Sequence, residues 1–403
     1  MVHTMLSLSE RVSQISPSAT LQMKAWAKAL KDQGVDVISL SAGEPDFETP
    51  AQIVKAAHAA LDKGVSRYTA TRGTDELIAA MRFKFKRDQK ITYDASQVVS
   101  TVGAKCAISM ALDALVGPGD EVIVLAPYWV SYTDQVKLSG AKPVIVSASE
   151  AESYLPSADA IKKALTPRTK ALILNSPNNP TGMVYPEALL REIMQVLEGT
   201  KVWVISDEIY EHLVFDNEKH VSPASFSADA LSRTIVVCGA SKGYAMTGWR
   251  VGYVGGPKEA IAAIVKIQEQ RYTCIPAISQ AASAYALMEE PELSAEIEKM
   301  RVAYQSRRDG AIKILAKWPH IRYVKPKGAF YIMLDLSFVI GKVHRGALIK
   351  DDEDLALRLL SEAHVATVGG TPFGVPGCVR LSLASSMNDI EEGIKRIAEF
   401  VAS

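Results

Sequence analysis

Val202-Trp203-Val204-Ile205-Ser206-Asp207-Glu208-Ile209-Tyr210 is a short apolar run that stops on two carboxylates. It lacks the polar alternation of a half-buried strand, so it reads as a strand covered on both faces. Four runs resemble it: Val98-Val99-Ser100-Thr101, Glu121-Val122-Ile123-Val124-Leu125, Ala171-Leu172-Ile173-Leu174 and Thr234-Ile235-Val236-Val237. Amphipathic segments lie between them, among them Ala104–Leu115 and Glu187–Leu197. Thr49-Pro50-Ala51-Gln52 reads as a capping box with proline at the first helical position, opening a helix through Leu61. These elements predict an α/β domain, a mostly parallel sheet with helices on both sides.

The pattern changes after Pro291. A long polar helix (Glu292–Leu315) precedes a strand at Gly328–Leu334, a further helix, a strand at Val379–Leu383 and a final helix at Asp389–Val401. The expected organisation is an N-terminal segment (1–48) packing with a small domain, a large domain (49–290) and the small α+β domain itself (291–403). A chain of 403 residues is longer than one core usually serves. With no repeat and no low-complexity linker, the domains should dock closely.

Forty-five Lys and Arg balance 45 Asp and Glu, so no net field recruits nucleic acid or a membrane surface. Cys106, Cys238, Cys274 and Cys378 form no CxxC pair, which argues against a zinc site and a disulfide framework. They read as small buried hydrophobes in a reducing compartment. The opening MVHTMLSLSERVSQ lacks the charged-then-apolar order of a signal peptide, and no apolar run is long enough to span a bilayer. A soluble, cytoplasmic protein without a bound metal is expected.

The chemistry gathers just beyond the strand-like runs. In Ser241-Lys242-Gly243-Tyr244-Ala245-Met246-Thr247-Gly248-Trp249-Arg250, a lysine follows an apolar strand among small residues. Such a lysine is ordinarily a solvated cap. Here the Ser241 hydroxyl adjoins it and the Arg250 guanidinium follows eight residues on. A lysine that forms a Schiff base needs a lowered pKa, which burial and nearby cations provide. Arg250 offers a planar fork for a phosphate. Asp207 is either a helix cap or the partner of a protonated pyridine nitrogen, with Tyr210 three residues on. Asn175-Ser176-Pro177-Asn178-Asn179-Pro180-Thr181-Gly182 has turn chemistry, but it follows a parallel strand, where ligands bind in such sheets. Thr101-Val102-Gly103-Ala104-Lys105 is a strand-to-helix turn whose amides suit a phosphate. Neither GxGxxG nor GxxxxGK occurs, which removes the main support for dinucleotide and P-loop readings.

Together these segments resemble the fold-type I, class I aminotransferases that depend on pyridoxal 5'-phosphate (PLP), and most closely their bacterial aspartate aminotransferase subgroup. The likeness runs from Leu40-Ser41-Ala42-Gly43-Glu44-Pro45-Asp46-Phe47 to Val379-Arg380-Leu381-Ser382. Its most specific stretches are Ala126-Pro127-Tyr128-Trp129-Val130-Ser131-Tyr132, Asn179-Pro180-Thr181-Gly182 and Ala245-Met246-Thr247-Gly248-Trp249-Arg250. The resemblance implies a large domain with a seven-stranded sheet and assigns a catalytic set of Lys242, Asp207 and Tyr210. Lys242 would hold the cofactor and shuttle the α-proton, and Asp207 would keep the ring nitrogen protonated. Tyr210 and Asn179 would contact the ring's phenolic oxygen, and Trp129 would stack on the ring. Arg250, Ser241 and the amides of Gly103, Ala104 and Lys105 would take the phosphate. Tyr68 would reach that phosphate across a homodimer interface. On the substrate side Arg380 would clamp the α-carboxylate, with Gly43, Trp129 and Asn179 around it.

Lysine at position 105 in this subgroup goes with acidic substrates, so transfer from L-aspartate to 2-oxoglutarate by a ping-pong mechanism is expected. The alternatives are aromatic, alanine-type or prephenate/arogenate substrates, or a PLP-dependent C–S lyase. Two departures bear on this. Arg271, in Gln270-Arg271-Tyr272-Thr273-Cys274-Ile275-Pro276, is either a second cation for a dicarboxylate or a surface residue. Ser16 stands before Pro17-Ser18-Ala19-Thr20 where prephenate-using relatives tend to carry a basic residue, so prephenate is not favoured.

Overall fold

The computed structural model describes residues 8–288 and 290–402. Met1–Ser7, half of the opening read for a leader and the start of the expected N-terminal segment, lie outside the described residues. Seven strands form the central sheet: β1 (Val98–Thr101), β2 (Glu121–Ala126), β3 (Lys142–Ser147), β4 (Thr169–Asn175), β5 (Trp203–Asp207), β6 (Thr234–Gly239) and β7 (Gly252–Gly255). Their order is β1-β7-β6-β5-β4-β2-β3, and only β7 runs antiparallel to its neighbours. Five strands match the expected runs; β3 and β7 are additions.

The unbroken apolar runs have a direct cause. Along β2, Val122 and Val124 point into one layer, against Ile108 and Ala111 of the Gly103–Leu115 helix and Ile261 and Ile264 of the Lys258–Arg271 helix. Ile123 and Leu125 point the other way, against Ile161 and against Leu190, Ile193 and Leu197 of the Glu187–Leu197 helix. Both faces are dry, so both sets of alternate residues are apolar. Each buried aliphatic side chain contributes roughly 1.5–3 kcal/mol.

The C-terminal part carries an antiparallel sheet built on Tyr331–Asp335 and Cys378–Ser382, with the Pro291–Leu315 and Met387–Ala402 helices against it. The first of these strands begins at Tyr331, not Gly328: Lys327 and Gly328 instead donate to the Gly182 carbonyl. Ile38–Ser39 pairs in parallel with Val365–Ala366, and Met23 and Ala27 of the Ala19–Asp32 helix pack on Ala356 and Leu360. One core also runs between the two parts, because Ile209, Tyr210, Leu213 and Phe215 pack among Phe330, Tyr331 and Ile332.

The expected capping box is not formed. The helix runs Ala51–Asp62 behind an N-cap at Pro50 that makes no side-chain cap. Thr49 spends its hydroxyl elsewhere, donating to the Ala245 carbonyl at 2.8 Å and accepting from Trp249 Nε1 at 3.0 Å. The cysteine reading also needs correction: all four are free, but only Cys238 and Cys378 are fully buried. No helix among the described residues is long and apolar enough to cross a membrane.

Candidate active site

The parallel strands β2, β4, β5 and β6 end on one edge of the sheet, and the residues just past them converge there. Asn175 and Asp207 are register partners at the ends of β4 and β5. β6 ends at Gly239 and turns at once into the single helical turn Ala240–Gly243, which carries Ser241 and Lys242. β2 leads into Tyr128 and Trp129, and β1 into the helix that starts at Gly103. A cavity of about 460 Å³ opens over this edge. Ala104, Lys105, Trp129, Asn179, Asp207 and Tyr210 line it on the sheet side; Gly43, Ser241, Lys242, Arg250 and Arg380 also face it.

Lys242 is half-buried and donates from Nζ to the Gly43 carbonyl. Desolvation lowers its pKa to about 8, the Arg380 and Arg250 guanidiniums add to the effect, and Glu44 opposes it. A Cβ on Gly43 would meet the Tyr331 hydroxyl at 3.4 Å, about van der Waals contact.

Asp207 is buried, and desolvation raises its carboxyl to about 6. Two donors work against that rise: Tyr132 Oη gives to Oδ2 at 2.6 Å, and the Ile209 amide gives to Oδ1 at 3.2 Å. Tyr210 is buried with its hydroxyl 3.0 Å from that of Tyr331, and burial pushes its phenol well above the ordinary range.

Arg380 is 1% exposed, yet among the described residues its hydrogen bonds all go to neutral oxygens. Nη1 donates to Asn179 Oδ1 at 2.8 Å and Nη2 to the Ser41 carbonyl at 3.0 Å, while Nε is buried without a partner. The guanidinium stacks on Tyr331 and Phe373, 4.4 and 4.9 Å from their ring centroids. A buried cation held only by dipoles and ring faces leaves a large part of its desolvation uncompensated. An anion from outside is the natural remedy.

A second place suited to an anion is the start of the Gly103–Leu115 helix, where Ala104, Lys105 and Arg250 line the same cavity. The Gly103–Leu115 helix begins without a side-chain cap, so its first amides are available. Gly103 sits at φ +77°, and a Cβ there would come within 2.5 Å of Arg250 Nη2. Only glycine permits both the backbone and the approach. Arg250 is itself left-handed (φ +59°) and held by the Thr247 carbonyl at 2.8 Å. An orphaned buried Arg380 Nε, a guanidinium at Arg250 approached only by glycine, and the buried Asp207 carboxylate are the donor set that PLP and a carboxylate-bearing substrate would need for phosphate, ring nitrogen and carboxylate.

Three residues raised by the sequence do not line this cavity: Gly103, whose neighbours Ala104 and Lys105 do; Tyr68, expected to serve a neighbouring subunit instead; and Arg271, left open between a substrate cation and a surface residue. Tyr68 is 89% exposed. Arg271 makes an ion pair with Asp113 at 2.6 Å. Lys105 lines the cavity with Nζ 4.9 Å from the Trp129 ring centroid; burial, then Arg250, lowers its pKa. Sequence reasoning missed Tyr132, Tyr331, Lys24 and Glu44. Tyr132 stood inside a quoted motif without a role, and Tyr331 was hidden in an apolar strand. Lys24 and Glu44 neutralise each other at 2.8 Å and are far apart in sequence.

The chain is similar to known proteins along nearly its whole length. The profile of the class I and II aminotransferases matches residues 35–397. The chain is 40% identical to an aspartate aminotransferase of Bacillus sp. over 98% of this chain and 99% of that one. It is 41% identical to an aspartate/prephenate aminotransferase of Thermus thermophilus, over 98% of each. Among solved structures, the aspartate aminotransferase of Rhizobium meliloti superposes with a TM-score of 0.94 at 39% identity, covering 98% and 99% of the two chains. The Thermus thermophilus aspartate aminotransferase with maleate gives 0.92 at 41%, covering 98% and 100%.

Proposed function

The chain belongs to the class I and II aminotransferases, PLP-dependent enzymes, and from that membership we propose that it moves the amino group of L-aspartate to 2-oxoglutarate by ping-pong exchange. The observation that carries the substrate is Lys105. It shares the cavity with Arg380, and among the described residues it has no carboxylate partner, whereas the nearby Lys24 is neutralised by Glu44. Two available cations suit a substrate with two carboxylates. The Thermus thermophilus relative was solved with maleate, which has two.

PLP supplies a carbonyl that condenses with amines and a pyridinium that withdraws electrons from the substrate α-carbon. The chain's residues do the rest. Arg380 takes the α-carboxylate, with Nε the guanidinium donor that has no partner in the chain, and Asn179 holds the guanidinium by accepting from Nη1. Lys105 meets the distal carboxylate. Asp207 holds the ring nitrogen, Tyr210 and Asn179 the phenolic oxygen, and Trp129 covers the ring. Arg250, Ser241 and the Gly103–Lys105 amides hold the phosphate. Lys242 would take the substrate α-proton at Nζ and pass it on toward the cofactor carbon. With a pKa near 8, a useful fraction of its amine is neutral at physiological pH.

The active unit in this reading is a homodimer in which Tyr68, exposed in the single chain, completes the neighbour's phosphate site. Of the described residues, those of the N-terminal segment (1–48) are assigned in this reading to the small domain (291–403), and those of 49–290 to the cofactor-binding domain. Four free cysteines fit a reducing cytoplasm.

The substrate assignment is tested by comparing kcat/KM for aspartate, alanine, tyrosine and prephenate in the native enzyme and in Lys105→Met. Aspartate should lead the panel, and K105M should cost aspartate about tenfold or more while leaving alanine unchanged, since about 1.4 kcal/mol corresponds to tenfold. An equal loss for both donors contradicts a distal-carboxylate role for Lys105.

A further inference from the structure

We propose that Tyr132 is a positioning residue for the cofactor ring, its hydroxyl holding Asp207 as the anion that keeps the ring-nitrogen proton on the ring. This role rests on the assignment of Asp207 to the ring nitrogen made above.

Tyr132 is the second residue of the Ser131–Leu138 helix, 2% exposed, and its hydroxyl meets Asp207 Oδ2 at 2.6 Å. That length belongs to an O–H donor on a carboxylate, a bond about twice as strong as a neutral one. Burial and the adjacent Asp207 and Tyr210 push the Tyr132 phenol far above its ordinary range, so it keeps its proton and has it to donate to the ionised carboxylate. The other donor to this carboxylate among the described residues is the Ile209 amide on Oδ1, longer at 3.2 Å. The charged neighbours oppose one another, Glu208 favouring the protonated acid and Lys242 the anion. In that balance the Tyr132 hydroxyl is the largest factor favouring the anion.

The consequence concerns one proton shared by two bases. In the site as assigned, a proton lies between Asp207 and the pyridine nitrogen. A donor to Asp207 stabilises the carboxylate and so moves that proton onto the ring, the form that draws electrons. The ring of Tyr132 has a separate task. It meets Trp129 edge-on, centroids 5.5 Å apart, and its amide donates to the Trp129 carbonyl at 3.0 Å. Tyr132→Phe removes the hydroxyl and keeps the packing, which separates the two.

The test uses the holoenzyme loaded with PLP labelled with ¹⁵N in the ring, whose nitrogen shift reports where the proton lies. Native enzyme, Y132F and Asp207→Asn are compared at fixed pH. In the native enzyme the nitrogen should be protonated. D207N should move the shift fully toward free pyridine, and Y132F part of the way. In the apoenzyme, infrared titration of the Asp207 carboxyl, assigned by its absence in D207N, should show the midpoint about one unit higher in Y132F. PLP should bind Y132F up to about tenfold more weakly, one pKa unit being tenfold. A nitrogen shift and a carboxyl midpoint both unmoved in Y132F, with D207N displaced, overturn the role of Tyr132 alone. A shift unmoved in D207N overturns the Asp207 assignment, and Tyr132's role with it. A purely structural Tyr132 would change the thermal midpoint without moving either signal.

Discussion

Arg380 donates to Asn179 at 2.8 Å across 201 residues of chain, and this bond ties the cofactor side of the site to the substrate side. Asn179 leaves the sheet after β4, while Arg380 lies within the Cys378–Ser382 strand of the C-terminal part. The guanidinium is buried with neutral partners and ring faces, which suits it to the substrate carboxylate of the proposed reaction.

Removing that charge should therefore cost the chemical step heavily. Arg380→Ala should lower kcat/KM for every amino acid by about 30-fold to several thousand-fold, the 2–5 kcal/mol typical of a truncated buried ion pair. Arg380→Lys should recover little of it, because an ammonium cannot reproduce the planar fork. Equal losses across donors of different side chain, read from steady-state kinetics, mark the shared α-carboxylate as the group lost.

Asp207 is a stability liability in the apoenzyme. Its carboxyl sits near 6 in the fold against about 4 in an unfolded chain, so the fold favours its protonated form. Its unfavourable contribution is complete above pH 6, shrinks as pH falls through 6, and is gone below the unfolded value. Asp207→Asn should stabilise the apoenzyme at pH 8 by on the order of 2 kcal/mol, with little gain at pH 4, while weakening PLP binding. Denaturant unfolding at the two pH values checks the sign, and a D207N apoenzyme less stable at pH 8 contradicts it.

Lys242, lowered to about 8, is ammonium below that pH and amine above it. Condensation with the PLP carbonyl needs the amine. The rate at which apoenzyme takes up PLP should thus rise with pH and level off above about 8. Stopped-flow absorbance reads it directly; a plateau reached only near pH 10 would mean an unperturbed lysine.

Gly103→Ala should weaken PLP binding more than it weakens the fold. The added methyl would sit 2.5 Å from Arg250 Nη2 at a left-handed residue. The guanidinium must move off the phosphate. A tenfold or greater rise in the PLP dissociation constant is expected, measured by titrating apoenzyme, with free pyridoxal, which lacks the phosphate, little affected.

Much of this was legible in the sequence, for a physical reason. β2, β4, β5 and β6 are covered on both faces and so announce themselves as unbroken apolar runs. β3 escaped because it is an edge strand holding Pro143, with Lys142, Ile145 and Ser147 exposed. β7 escaped because Gly252 and Gly255 blur its pattern; a Cβ on Gly252 would fall 2.5 Å from the Gly103–Ala104 backbone. Thr49 shows the limit of local signals, its hydroxyl drawn to Ala245 by the tertiary fold instead of capping its own helix. The sequence order of the site residues followed the strand ends, but Tyr132 and Tyr331 act through contacts 75 and 121 residues away, which no spacing reveals.

The proposed dimer is open to a mixing experiment. If Tyr68 serves the neighbour, Tyr68→Ala and Lys242→Ala homodimers should each be impaired, and hybrids formed on mixing should regain one native site per dimer. Activity no higher than the sum of the parents would show that Tyr68 acts within its own chain or not at all.

The most direct test of the whole account is the visible absorbance of the purified holoenzyme during addition of L-aspartate and then of 2-oxoglutarate. The account predicts a band from PLP bound at Lys242 that bleaches with aspartate, returns with the keto acid, and is absent from Lys242→Ala. A native band that aspartate leaves unchanged, or that bleaches and does not return, would contradict an aspartate:2-oxoglutarate exchange centred on Lys242.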